Sequence, residues 1–307
     1  MTKRRHPKPV GQRRPGTGRC RLPPRRPEIP SPPSGPVDYF TERLALFRHA
    51  SERASELTKI VAGQLVDERK CWGQWNHLRM CITASSILTL ADYQPRIDAG
   101  EECTLDQGSI AALARGMAES AAMVAYLIDP ALTLEQWELR KHVLWLHDAT
   151  TRYKMFSKLE NEEQATAARP QMQDLRTRIE AFPEFQALAP ERQGRVIAGS
   201  EIYLHGLRAA VRLAGWDVDE FDAMYGYLSS YSHSSPVSFI RLAEHSIDFK
   251  VSTRAQRGTA GNALEFAFNA LQSATERGAA AFGVEASAGP DIPDPREPDD
   301  EVPGTVS

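Results

Sequence analysis

The chain has 307 residues, of which 41% are hydrophobic and 25% charged, and its formal net charge is −3 at neutral pH. This length and apolar content allow one large domain or two small ones with a real core. No run approaches the roughly 18 apolar residues of a membrane span, and no apolar stretch follows the basic N-terminus. We therefore expect neither a membrane span nor a secretory signal, and a cytoplasmic location.

Two terminal segments differ from the rest in composition. Residues 1–36 carry ten Lys or Arg and ten Pro, whereas residues 283–307 carry seven Asp or Glu and five Pro. Neither segment has the apolar content to offset the entropy of ordering, so both are predicted to be disordered. Between them, residues 37–282 hold 26 basic and 32 acidic side chains, which predicts a single, mildly acidic folded domain.

This charge distribution bears on partners. A domain that binds the phosphates of a nucleic acid normally has a basic face. The net charge of residues 37–282 is acidic and does not indicate such a face. The basic tail is compatible with binding RNA, DNA or an anionic membrane, and equally with a solvated arm. The abrupt change of composition at Val37 also fits a native chain that begins there. RNA, a protein partner and a second copy of the chain stay open as partners, and we expect no membrane partner for the domain.

The sequence contains no pattern typical of a metal or cofactor site. The four cysteines form no C-x-x-C pair and no zinc spacing, which predicts free thiols in a reducing compartment. No Glu-x-x-His of a di-iron bundle and no glycine-rich phosphate loop occurs. We therefore predict no metal and no cofactor.

Helical periodicity dominates the first half of the chain, and no alternating strand pattern is found. It predicts helices over residues 38–68, 72–93 and 106–128, the last of which ends before Pro130. Thr133 and Gln136 form a capping box for a fourth helix that reaches about residue 159.

The second half is less regular. Pro170, Pro183 and Pro190 predict that residues 160–200 break into short helical pieces. A helix over 201–213 is predicted to end at Gly215, and the next helix, capped by Asp217 or Asp219, carries a segment rich in tyrosine and serine. Residues 236–254 are ambiguous, and a final helix covers 258–282. The predicted fold is all-α, a single helical bundle of about seven helices with disordered tails.

The third predicted helix carries an ion pair opposite its apolar stripe. Projected at 100° per residue, Arg115 and Glu119 lie together on that side, four residues apart. One interpretation is a solvent-facing pair. The other is that the helix is buried on both sides, so that the pair lines an interior polar site, which the alanines around Glu119 would permit.

The segment of residues 225–236 holds three tyrosines, five serines and one histidine. Ser229 and His233 share one stripe of the predicted helix, beside the apolar arc that contains Tyr231. A straight helix supplies neither a nucleophile elbow nor an oxyanion hole, so we do not expect a serine hydrolase. His233 either acts as an acid or base near neutral pH or bonds a backbone carbonyl at the helix end.

The fourth predicted helix carries Arg140 and His147, which lie on one face because they are seven residues apart. This spacing matches, at its longest limit, the R-x4-6-H pattern of the HEPN helical ribonucleases. Lys141 stands where those enzymes usually have Asn, Asp or His, and about two such matches are expected by chance in a chain of this composition. His147 and Asp148 also echo the dyad of HD-type phosphohydrolases, although the other ligands of that site are not evident.

Residues 114–122 and 126–130, read as ARGMAESAA and YLIDP, resemble a family of helical bacterial proteins that is frequent in actinobacteria. Residues 227–233, YLSSYSH, are similar to a second stretch of the same family. That family is similar in layout to HEPN-related helical domains, some of which are ribonucleases of defence and toxin systems. The resemblance singles out Arg115, Glu119, Ser229 and His233.

Two hypotheses follow. The first is a helical domain that binds a ligand or partner through a polar pocket, with Glu119 and His233 as candidate catalytic groups and Arg115, Ser229 and Tyr231 as ligand-binding groups. The second is a metal-independent endoribonuclease of the HEPN type, from a toxin or phage-defence system, that uses either His233 or the pair of Arg140 and His147. The first requires that the third helix and the tyrosine-rich helix are neighbours.

Overall fold

A computed structural model describes residues 38–93, 104–233, 235–244 and 252–284, and for residues 241–244 it describes the backbone alone. Residues 1–36, predicted to be disordered, lie outside the described part. The second predicted tail lies outside it too, apart from Gly283 and Val284, which follow the last helix.

The described residues contain eleven α-helices and no strand, which confirms the all-α class. In chain order the helices are α1 Tyr39–Val61, α2 Glu68–Ala91, α3 Gln107–Leu127, α4 Leu134–Lys158, α5 Glu162–Glu180, α6 Pro183–Gln186, α7 Pro190–Ile197, α8 Leu207–Leu213, α9 Val218–Ser232, α10 Pro236–Glu244 and α11 Arg254–Phe282.

The predicted count of about seven helices is wrong, because four of the eleven helices are short. Helices α6, α7, α8 and α10 have four, eight, seven and nine residues. Helix α10 occupies part of the segment that the sequence leaves ambiguous. Helix α11 begins four residues before the predicted start at Gly258, because Thr253 and Gln256 form a capping box there.

Local capping chemistry positions most of the helix starts as predicted. The side chains of Asp38 and Asp217 accept hydrogen bonds from backbone N–H groups in the first turns of α1 and α9. Thr133 and Gln136 form both bonds of the capping box at α4. Gly215, which follows α8, has a φ of +79°, the left-handed conformation expected of a helix-ending glycine.

Several other predicted boundaries are wrong. The first helix, predicted to reach residue 68, ends at Val61, and α2 begins at Glu68, four residues before its predicted start. The helix predicted to begin at residue 201 begins only at Leu207, because Gly206 has a φ of +87° and turns the chain. Pro170 lies inside the continuous helix α5 and does not end it. A proline removes one backbone hydrogen bond, but Ala165 and Met172, on either side of it, are both buried. This packing holds the helix together.

Helix α3 is the central helix of the bundle, and it packs against α2, α8, α9 and α11. Ile110, Met117 and Val124 are buried on the predicted apolar stripe, and Tyr126 is buried on the opposite side. The interpretation that this helix is covered on both sides is therefore confirmed. Its length and hydropathy alone would let it cross a membrane, but 61% of the apolar window is buried in the protein, as expected for the core helix of a soluble protein.

A second, smaller hydrophobic cluster joins α4 to α5, α6 and α7. Leu139, Val143 and Leu146 of α4 pack there with Leu175 and Ile179 of α5. Its residues are separate from those of the main cluster, which is built from α1, α2, α3, α9 and α11. These are the two large hydrophobic clusters of the described residues, which also form two small ones. Helix α4 runs along the border between the two large clusters, since its Trp137 belongs to the main one.

Candidate functional site

Helices α3 and α9 are neighbours, and their polar side chains meet at one point. Arg115 Nη2 lies 3.0 Å from Glu119 Oε1. The hydroxyl of Tyr225, on α9, donates a hydrogen bond to Glu119 Oε1 and accepts one from Arg115 Nη2. The Arg115 guanidinium also lies over the Tyr225 ring, 4.5 Å from its centroid. We call this group of Arg115, Glu119 and Tyr225 the polar cluster.

The polar cluster is partly open to solvent. The side chain of Arg115 is 22% exposed and that of Glu119 is 42% exposed. Arg115 Nε is buried and has no hydrogen-bond partner among the described residues. Tyr203 lies alongside, and its hydroxyl donates to the backbone carbonyl of Glu119 at 3.4 Å.

The tyrosine hydroxyls at this cluster stay protonated at neutral pH and therefore cannot act as general bases. Burial raises the pKa of Tyr225, and the hydrogen bond to Glu119 raises it further. Burial likewise raises the pKa of Tyr203 well above its usual range. Both hydroxyls therefore stay protonated and serve as hydrogen-bond donors, which suits a structural or binding role better than general-base chemistry.

The other predicted residues of the pocket have different partners. Ser229 Oγ donates to the carbonyl of Tyr225 in its own helix at 2.6 Å. The hydroxyl of Tyr231 lies 3.2 Å from that of Tyr227, which in turn reaches Thr259 Oγ1 of α11 at 3.1 Å. His233 is exposed at the C-cap of α9, eight residues or about 12 Å along the helix from Tyr225.

The structure thus brings Arg115 and Glu119 together and adds Tyr225, which sequence reasoning missed. The signal was present, because Tyr225 lies four residues before Ser229 and therefore on the same helix face. The pattern did not show which hydroxyl of the tyrosine-rich segment would reach α3. That depends on the rotation of α9 in the bundle.

We expect Tyr225→Phe to lower the free energy of unfolding by about 1 kcal/mol, because Glu119 and Arg115 lose a shared hydrogen-bond partner that is half-buried. His233→Ala is expected to change it by less than about 0.5 kcal/mol, because the side chain is exposed. Urea denaturation of both variants measures the difference. A larger loss for His233→Ala than for Tyr225→Phe would contradict this assignment.

Arg140 and His147, the pair that matches the HEPN spacing, both have structural partners. Arg140 is buried, and its Nη1 donates to the carbonyl of Tyr126 at 2.5 Å. Its guanidinium lies over the Tyr126 ring, 4.2 Å from the centroid, and its Nη2 is 3.8 Å from a carboxylate oxygen of Asp129. The hydrogen bond to the Tyr126 carbonyl satisfies a backbone acceptor at the C-terminal end of α3. Because the guanidinium is held by these contacts, it has little freedom to bind a phosphate.

His147 is a residue of α4, and its side chain faces the segment that follows α7. Its Nδ1 is 3.1 Å from the carbonyl oxygen of Gly199, so Nδ1 carries the proton, since a carbonyl oxygen only accepts. Catalysis by Arg140 and His147 stays a prediction, and the geometry supplies a structural reason for both residues.

A groove with tryptophan side chains lies between α2, α3 and α4, and sequence reasoning missed it. It is open to solvent and has a volume of about 490 Å³. Trp72 forms its centre, with ring centroids 5.4 Å from Trp137 and 6.0 Å from Trp145. We call this the tryptophan groove; it is lined by Trp72, Trp75, Asn76, Arg79, Met123, Leu127, Leu144, Trp145 and Asp148.

The charges of the tryptophan groove are few. Asp148 is paired with Arg152 at 2.6 Å. Arg79 is exposed and forms no ion pair within the described part of the chain. Asn76 donates from Nδ2 to the carbonyl of Ser120 at 2.7 Å, which ties α2 to α3 beneath the groove.

The groove continues into an exposed apolar face of α2. Trp75, Leu78 and Ile82 are 62%, 43% and 62% exposed. They lie three and four residues apart and so form one stripe along the helix. We call the stripe of Trp75, Leu78, Ile82, Ser85 and Thr89 the outer face of α2. An exposed stripe of large apolar side chains is unusual on a soluble monomer and marks interaction surfaces.

Among the residues that the structure describes, no three His, Cys, Asp or Glu side chains come together to hold a metal ion. The polar cluster holds one carboxylate, and the tryptophan groove holds one. The observed chemistry of both is therefore hydrogen bonding, aromatic contact and apolar contact. Of the two, the tryptophan groove with the outer face of α2 has the larger apolar surface available to a partner.

We compared the chain with known protein families, curated proteins and solved structures. No protein-family model, no curated protein and no solved structure matches this chain. The resemblance to the actinobacterial helical family and to HEPN-related domains therefore stays a prediction, and the function has to be argued from the residues of this chain.

Proposed function

We propose that this protein is a non-catalytic helical domain that binds a protein partner through the tryptophan groove and the outer face of α2. The observation that supports it is the exposure of Trp75, Leu78 and Ile82 in one stripe beside the groove. Covering apolar surface of this kind contributes about 25 cal/mol for each Å² removed from water. Such side chains therefore favour association over solvation.

The residue types also favour a protein partner. Tryptophan and arginine are the side chains most enriched among residues that dominate the energy of protein interfaces. Trp75, Trp145 and Arg79 all border the groove. Trp145 is 37% exposed and lies under the Lys141 ammonium, 5.1 Å from its ring centroid, so it is held in place before a partner arrives.

The polar cluster supports the predicted ligand pocket less well. Glu119, Arg115 and Tyr225 bond to one another, and a ligand would have to displace these bonds. Their contacts join α9 to α3, so the cluster explains the position of α9. We also propose a cytoplasmic location, because Cys71 and Cys81 are free thiols, as expected in a reducing compartment.

The proposal is tested by photocrosslinking in cells that make the full chain. Benzoylphenylalanine at position 78, on the outer face of α2, is expected to form a discrete crosslinked species. The same probe at Gln173, an exposed polar position of α5, serves as the control and is expected to form none. If position 78 yields only the uncrosslinked chain, or if both positions yield the same products, the proposed binding surface is not used.

A further inference from the structure

We infer that the partner on the outer face of α2 is a second copy of this chain, bound with the two α2 helices antiparallel. The inference rests on the proposed binding surface and adds the identity of its occupant. Three features of α2 lead to it: the spacing of the exposed residues, the absence of charge along most of the helix, and the way the face complements itself.

The spacing along α2 is that of a helix with two packed sides. The residues buried inside the protein are Gly73, His77, Met80, Ala84, Ile87 and Ala91. The outer face lies on the opposite side of the helix, and its members are separated by steps of three, four, three and four residues. Such alternation of three and four is the repeat of a two-helix seam. One seam of α2 is filled within the protein, and the other is open.

The outer face is almost free of charge. Helix α2 has 24 residues, and Glu68, Arg69, Lys70 and Arg79 are its four charged ones. Residues 80–91 contain no Asp, Glu, Lys or Arg. A partner selected by charge would find little to pair with here. In a second copy the uncharged stripe lies on both sides of the interface. The exposed Arg79, at the edge of the stripe, is the one charge of α2 near the two-fold axis, and its repulsion by Arg79 of the other copy weakens the association in part.

The face complements itself in the antiparallel arrangement. We place the two-fold axis on the exposed side of α2, at the height of residue 80 along the helix. Leu78 of one copy then lies opposite Ile82 of the other. Trp75 then lies opposite Ser85, so the largest side chain of the stripe meets one of the smallest. The same register places Cys71 opposite Thr89. Each pair occurs twice by symmetry, and every exposed large side chain finds an apolar or small neighbour.

The surface sets the expected strength of the dimer. A tryptophan buries about 150 to 250 Å², so the outer face and the rim of the groove together bury roughly 400 to 500 Å² in each copy. The total of roughly 800 to 1,000 Å² lies at the lower limit of specific interfaces. We therefore expect a dimer that dissociates on dilution and not a permanent one.

Sedimentation analysis of the full chain over a range of concentrations tests the inference. The wild-type protein is expected to approach twice its monomer mass of 34.1 kDa as its concentration rises. Leu78→Lys and Ile82→Glu, each made alone, are expected to abolish the dimer. Leu159→Glu is the matched control, because Leu159 is 69% exposed at the C-terminal end of α4, eleven residues after Asp148 of the groove, and it should leave the dimer unchanged.

The register has its own test. In the variant that carries both Leu78→Lys and Ile82→Glu, each lysine faces a glutamate of the other copy, so the dimer should return in part and weaken with added salt. Both substitutions lie on exposed positions, so circular dichroism is expected to show an intact fold. If the double variant stays monomeric while the wild type dimerises, the antiparallel register is wrong.

Failure of this inference is distinguishable from failure of the proposed function. A wild-type protein that stays monomeric, together with a position-78 crosslink to another protein, overturns the second copy and leaves the binding surface in place. A monomer without any crosslink at position 78 overturns both. A crosslinked species of twice the chain mass, lost in Ile82→Glu, supports both.

Discussion

Gly199→Ala is expected to lower the free energy of unfolding by about 3 to 5 kcal/mol, the largest effect we predict for a single added methyl group. Gly199 follows α7 with a φ of +65°, a conformation that costs an alanine roughly 1 to 2 kcal/mol. A Cβ there would also overlap Thr150 Oγ1 and lie 2.8 Å from Thr150 Cβ and 3.1 Å from the carbonyl oxygen of Leu146. The hydroxyl of Thr150 can rotate, but Thr150 Cβ and the carbonyl oxygen of Leu146 are fixed by the backbone of α4 and cannot move without shifting that helix.

Thermal and urea denaturation measure the loss. Gly194→Ala is the matched control, because Gly194 lies within α7 and an added Cβ meets nothing within 4 Å. It should raise stability by up to about 1 kcal/mol, since alanine favours a helix over glycine. Adding Thr150→Ala to Gly199→Ala should recover part of the loss and not all of it, because the backbone strain remains. Equal stability of the two glycine variants would contradict the close packing of α7 on α4.

The second large effect is a dependence of stability on pH that arises from His77. This ring is buried between α1, α2 and α11, where its Nε2 lies 3.1 Å from Thr275 Oγ1 and its Nδ1 lies 3.3 Å from Thr58 Oγ1. Burial lowers the pKa of His77 to about 4. No carboxylate contributes to this pKa, so nothing compensates a proton on the ring.

The direction follows from the two states of the chain. An unfolded histidine takes up a proton near pH 6.5, whereas the folded one stays neutral down to about pH 4. The stabilisation is therefore fully present above pH 6.5 and is lost as the pH falls towards 4, by about 2 to 3 kcal/mol in total. Lower pH favours the unfolded chain because that chain binds the extra proton.

Urea unfolding at several pH values between 7 and 4 checks this, with His77→Gln as the comparison. The variant should be less stable than the wild type at pH 7, where it loses hydrogen bonds to two threonines. The gap should narrow as the pH falls, since glutamine does not titrate. A gap that stays constant over this range would mean that His77 is not held neutral in the fold. His233→Gln is the control, because His233 is exposed and forms no ion pair among the described residues, and it should show no such change.

The sequence predicted the helical class and several helix starts well, because these depend on neighbours along the chain. Asp38, Thr133 and Asp217 cap helices through bonds to residues three positions away. The pairing of Arg115 with Glu119 was predictable for the same reason, since a helix brings residues four apart together. The tryptophan groove was not, because Trp72, Met123 and Trp145 are distant in the chain.

By itself, then, the sequence determined the all-α class, the main caps and the apolar stripe of α3, since each arises from contacts within a few residues. Only the tertiary structure decided which polar groups meet and which apolar groups stay exposed. The rotation of α9 selects Tyr225 and leaves His233 at an exposed helix end. The packing of α2 buries one seam of that helix and exposes Trp75, Leu78 and Ile82. The helical period of a sequence shows that two faces of a helix differ in polarity. Which of these faces is covered depends on where the other helices lie, and packing throughout the bundle sets their positions.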